Sequence, residues 1–93
     1  MAQAISTVQI DNERVAVTEW RFAPGAETGW HRHQYDYVVV PQTSGRLLLK
    51  TKGGDSVSEL SCGVSYFRKA GVEHNVVNAS EGEFVFIEIE LKA

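Results

Sequence analysis

In "EFVFIEIELK", Glu83 to Lys92, Val85, Ile87, Ile89 and Leu91 fall on one face of an extended chain, and Phe84, Phe86, Glu88 and Glu90 on the other. A two-residue period of this kind fits a half-buried strand and cannot be laid on a helix. The same period runs through "RVAVTEWRF" and "VSYFRK", and no window sustains a helical repeat. Turn signals interrupt the chain at short intervals: Asp11-Asn12, Pro24-Gly25, Thr43-Ser44-Gly45, Gly53-Gly54-Asp55, Cys62-Gly63, Ala70-Gly71 and Ser80-Glu81-Gly82. Roughly eight short strands at this spacing predict an all-β protein, a sandwich or barrel of antiparallel sheets. With 93 residues and no linker, repeat or low-complexity stretch, residues 1–93 are expected to form a single domain. A domain of this size buries only about two-thirds of the surface its unfolded chain exposes, so its core is modest.

Hydrophobic residues at 43% and charged residues at 23% exclude a disordered chain. The net charge is -3, and Lys50, Lys52, Arg68 and Lys69 are scattered among acids, so there is no basic stripe for nucleic acid. No run approaches membrane-spanning length, and "MAQAISTVQIDNERVAV" has neither the basic start nor the apolar stretch of a signal peptide. A cytoplasmic location without membrane contact is expected. Cys62 is the only cysteine, which rules out an internal disulfide and a thiolate-rich metal site.

Against this plain background the segment "GWHRHQYDYVVVPQTSG" stands out. On a strand, His31 and His33 project from one face, either as two arms of a metal site or as polar positions on an ordinary sheet. A metal site needs a third donor, and the one remaining histidine, His74, follows the Gly71 turn at the head of "HNVVN". A rolled sheet that sets these two segments side by side would let three imidazoles converge on one cation. By the same alternation Tyr35 shares a face with the histidines, as a catalytic acid, a hydrogen-bond donor to substrate, or a packed core residue. Tyr37 is read separately, as a structural residue on the opposite face. Trp20, Phe22 and Trp30 suit an apolar wall or a dimer surface. Arg68 and Lys69 are read as solvated turn residues that could also draw an anion to the mouth of a site, and Glu88 and Glu90 as the polar side of a sheet. Cys62 beside Gly63 reads as a small turn residue.

Two spaced patterns in this chain resemble the motifs of the cupin family. The first runs Gly25, five residues, His31-x-His33, four residues, Val38, six residues, Gly45, and the second Gly63, five residues, Lys69-x-Gly71, two residues, His74, three residues, Asn78. They span more than half of the chain and place every histidine in a ligand slot. The stretch "TEWRFAPGAETGWHRHQYDYVVVP" is similar to the small bacterial cupins known as β-alanine degradation proteins. The resemblance implies a small cupin β-barrel of jelly-roll type that binds one divalent transition metal through His31, His33 and His74, with Fe, Zn, Ni, Mn and Cu all open.

Two departures from the family pattern carry consequences. Val38 stands where most metal-binding cupins place glutamate, leaving three neutral nitrogens unless Asp36 or a water substitutes. Lys69 replaces a proline and restores a backbone N–H, which is expected to loosen that turn. Cupin dioxygenases that cleave diketones, gentisate-type rings or thiols hold Fe(II) on three histidines without glutamate. The resemblance therefore implies a metal-dependent oxygenase or related enzyme acting on a small organic acid or thiol. The alternative is a non-catalytic sensor or metabolite-binding module, with or without metal. Metal held by ordinary imidazoles would be lost as pH falls through about 6. Finally, Ile5, Val8 and Ile10 in "AISTVQI" have little core to cover them, which predicts a homodimer in which this segment pairs along an edge of the partner's sheet.

Overall fold

The computed structural model describes residues 2–92. In chain order its strands are β1 (Ile5–Asp11), β2 (Val15–Phe22), β3 (His31–Arg32), β4 (Asp36–Pro41), β5 (Gly45–Thr51), β6 (Gly54–Leu60), β7 (Tyr66–Arg68), β8 (Glu73–Asn78) and β9 (Phe84–Leu91). They form a five-stranded sheet in the order β1-β2-β9-β4-β7 and a four-stranded sheet in the order β3-β8-β5-β6. Neighbouring strands pair antiparallel throughout. The all-β barrel expected from the strand period is thus observed.

The turn residues act through their side chains. Asn12 Oδ1 accepts the N–H groups of Arg14 and Val15 at 2.8 and 2.9 Å, so the β1–β2 turn is closed by a side chain that mimics a backbone turn. Asn78, the last residue of the second motif, is almost fully buried. Its amide donates to the carbonyls of Phe22 and Gly82 at 3.2 and 2.9 Å, and its Oδ1 accepts the Ser80 N–H. That motif position therefore ties β8 to the end of β2 and to the β8–β9 turn. Gly45, which closes the first motif, has no room for a side chain: a Cβ there would lie 2.5 Å from Ser80 Oγ and 2.8 Å from Phe84 Cδ2.

The two sheets face each other across one core containing Phe22, Tyr37, Val39, Leu47, Val76, Phe84 and Phe86. Register decides which face of β9 points into it. Phe84 pairs with Phe22 and Phe86 with Trp20, and these aromatic rings are the large side chains that fill the centre. Because side chains alternate, burying Phe84 and Phe86 also turns Glu88 and Glu90 inward. The expectation that the two glutamates form the polar side of the sheet is overturned. The outer surface instead carries an apolar row across all five strands, Ile10, Val17, Ile89, Val38 and Phe67. No helix of the described residues is long and apolar enough to cross a membrane.

Candidate metal centre

His31 on β3 pairs directly with His74 on β8. His33 lies just beyond β3, yet its backbone continues the ladder: its N–H donates to the Val72 carbonyl at 2.9 Å, and its carbonyl accepts the Gly71 N–H at 2.8 Å. Gly71 reaches this position with φ of +96°, a conformation that side-chain-bearing residues rarely adopt. The second-motif turn is therefore stitched to the first-motif histidine through the main chain. Asp36 Oδ1 also accepts the Ala70 N–H at 2.8 Å. These bonds tie the turn that carries Lys69 to the first-motif segment.

The three imidazoles turn the same nitrogen toward a common point. His31 Nε2 lies 3.1 Å from His33 Nε2, which lies 3.2 Å from His74 Nε2. The Nδ1 of His31 donates to the Gly29 carbonyl at 2.9 Å, which leaves its Nε2 as a lone-pair donor facing the cluster. At bond lengths of about 2.0–2.1 Å, nitrogens bound to one cation stand about 3.0 Å apart in adjacent octahedral positions and about 3.4 Å apart in a tetrahedron. The observed separations fall between these values, so the donor set fits a transition metal. Burial, reinforced by the neighbouring imidazoles, lowers the pKa of His33 to about 4. Burial also lowers His74 to about 4, with His31 and Arg68 acting in the same direction. Both rings are thus neutral near pH 7 and have lone pairs to give. Their acid titration lies well below the value of about 6 expected from ordinary histidines.

The structure reassigns the residues around this cluster. A bend at Gln34 and Tyr35 breaks the strand alternation, so Tyr35 does not join the histidines. It is half-buried and is not among the residues that line the adjoining cavity. Tyr37 lines the cavity instead, with its ring stacked on that of His33 at a centroid distance of 3.9 Å and an interplanar angle of 20°. Tyr37, and not Val38, is therefore the β4 side chain beside the histidines. Val38 sits on the outer face between Phe67 and Ile89. Asp36 is committed to the Ala70 amide.

Glu88 is the site residue that sequence reasoning missed. It is buried on β9, lines the cavity and places Oε1 3.9 Å from His33 Nε2. Burial, with help from Glu90, raises its pKa to about 7, while the Trp20 side chain acts in the opposite direction. Together with Glu90 it also forms an acidic grouping with His33. The cavity measures about 170 Å³. Its walls are mainly apolar, with Leu47, Val76 and Phe86 among the lining residues.

Comparison with known proteins accords with this geometry. A family model described as "Cupin domain" matches residues 18–90. "Beta-alanine degradation protein BauB" of Pseudomonas aeruginosa is 67% identical over 90 residues, covering 97% of this chain and 95% of that protein. Among solved structures, a cupin domain from Bordetella pertussis superposes with a TM-score of 0.97 at 68% identity, over 99% of this chain and 96% of the other. A double-stranded β-helix protein of Klebsiella pneumoniae shares the fold at a TM-score of 0.80 and 22% identity, over 97% and 77% of the two chains.

Proposed function

The chain belongs to the cupin family, and on that premise we propose that it holds one divalent transition metal on His31, His33 and His74. The metal is one of Fe, Zn, Ni, Mn or Cu, the set that imidazole-rich sites accept. The reading as an enzyme is a metal-dependent oxygenase acting on a small organic acid or thiol. The name of the Pseudomonas aeruginosa relative supports a place for that acid in the breakdown of β-alanine. The observation that carries the proposal is the convergence of three Nε2 atoms within 3.1 and 3.2 Å contacts at the wall of a cavity.

A cation bound there would supply open coordination positions, because three protein donors do not fill its shell. The chain's own residues set the conditions around it. The Gly29 carbonyl fixes the tautomer of His31, and Tyr37 holds the plane of His33. Glu88 offers a carboxyl oxygen to a water or substrate hydroxyl in the cavity. Phe86, Leu47 and Val76 exclude bulk water, which strengthens every polar contact inside. A location in the cytoplasm agrees with the one exposed free thiol, Cys62.

The proposed assembly is a homodimer. Every residue of β1 is exposed, with Ile5 at 63% and Val8 at 62%, and the strand forms an open sheet edge. Sedimentation over a hundredfold concentration range is expected to show the dimer; a monomer throughout contradicts it.

Oxygen uptake by metal-loaded, tag-free protein, measured against small acids and thiols with a chelated control, tests the activity. Metal-dependent uptake with one of them is the expected result. Saturable binding without turnover would replace the enzyme with a metabolite-binding module, and neither response would overturn both.

A further inference from the structure

We propose that Arg68 is the anion anchor of the cavity, taking the carboxylate of a small monocarboxylic acid whose far end points to the histidines. The orientation rests on the metal reading given above; the anchoring itself does not. Arg68 is the one permanent cation among the cavity-lining residues. Its position on β7 is directly opposite Tyr37 on β4, a pairing that brings Cβ atoms to about 5 Å. Tyr37 in turn stacks on His33 at 3.9 Å. One aromatic side chain therefore separates the guanidinium from the histidine cluster.

The guanidinium is held but not consumed. It lies 4.4 Å over the ring centroid of Tyr66, and one nitrogen donates to the Phe67 carbonyl at 3.0 Å. A guanidinium has five N–H donors, so a fork remains for a carboxylate. Among the described residues no acid pairs with Arg14, Arg32, Lys50, Arg68 or Lys69, and of these only Arg68 lines the cavity.

The chemical class of the ligand follows from the opposite wall. In the order β9-β4-β7, Glu88 lies two strands and, by register, two residues from Arg68, about 12 Å at the usual strand spacing and rise. A second carboxylate at that end would meet the Glu88 carboxyl, which disfavours diacids. The mainly apolar lining suits a short chain with a single charged end. A short monocarboxylate entering with its charged end at the rim satisfies both walls.

The test titrates metal-free, full-length protein at pH 7.5 with propionate and with propionamide, followed by NMR shifts of the cavity strands. Propionate is expected to bind about tenfold more tightly, as a charge-assisted fork gives over a neutral amide. Arg68→Gln is expected to bring the two ligands level, and Arg68→Lys to retain part of the preference. Equal affinities in the parent protein, or an unchanged preference in Arg68→Gln, would overturn the anchor. Zinc binding measured on the same samples separates the two readings. Zinc uptake without a propionate preference removes the anchor alone, whereas an Arg68-dependent preference in protein that takes no zinc removes the metal alone.

Discussion

The four-stranded sheet and the five-stranded sheet contribute different things to the site. β3 and β8 of the smaller sheet, with the residue just past β3, carry the three nitrogen donors. The larger sheet supplies the wall they face: Tyr37, Glu88, Trp20 and Arg68 from β4, β9, β2 and β7. The donors are fixed by short-range main-chain stitching between two turns, while the wall is fixed by the register of long strands. Donor changes should therefore abolish metal binding, whereas wall changes should tune stability, affinity and ligand choice.

The largest effect is expected from the donors. His33→Ala and His74→Ala should each weaken zinc binding by more than about 100-fold, beyond the 10–100-fold typical of residues that only support a ligand. Chelator competition measures this, and full affinity in either variant would break the division between the sheets.

The next effect comes from the wall, in metal-free protein. The folded pKa of Glu88, about 7, lies above its unfolded value of 4.5, so its burial favours folding only where the carboxyl is protonated. That contribution is present below pH 4.5 and is lost as pH rises through 7. Glu88→Gln should accordingly stabilise the metal-free protein by roughly 1–3 kcal/mol at pH 8 and by little at pH 4. Urea unfolding in the presence of a chelator is the check, and a gain independent of pH would remove the ionisation as its cause. His33 and His74 have the opposite sign. Their folded values of about 4 lie below the unfolded 6.5, so the stability they confer is present above pH 6.5 and is lost as pH falls toward 4.

A smaller effect sharpens the comparison within one strand. Tyr37→Glu places a carboxylate beside His33 and should tighten metal binding about tenfold, one pKa unit's worth of interaction. Val38→Glu faces outward and should leave the affinity unchanged while disturbing the apolar outer row. The reverse pattern would mean that β4 is turned over. The smallest effect is expected at Tyr35, where Phe should change metal affinity by no more than about twofold, the range of surface substitutions.

The same division explains what could be read from the chain alone. His31 and His33 are two apart on an extended segment, so alternation puts them on one face; His74 joins them through long-range pairing of β3 with β8, which the motif resemblance and not the local pattern announced. Tyr37 keeps the two-residue parity of His31 and His33 and faces the cavity with Val38 outside, whereas Tyr35 leaves that face at a bend over Gln34 and Tyr35 that no periodicity announces. Glu88 went inward because Phe84 and Phe86, locked against Phe22 and Trp20, outweigh two carboxyl groups on the same face. That competition is between burying aromatic area and desolvating acids, and it is decided by pairing partners distant in sequence. The strand count and sheet class were legible because they depend on local period and turn residues.

The most direct measurement is the metal content of tag-free protein after incubation with Fe, Zn, Ni, Mn and Cu in turn and dialysis at pH 7.5. The account predicts about one equivalent per chain for at least one of these metals, as a single three-imidazole site requires. Less than about a tenth of an equivalent for every metal would contradict it, since three neutral imidazoles meeting at one point would then serve packing alone.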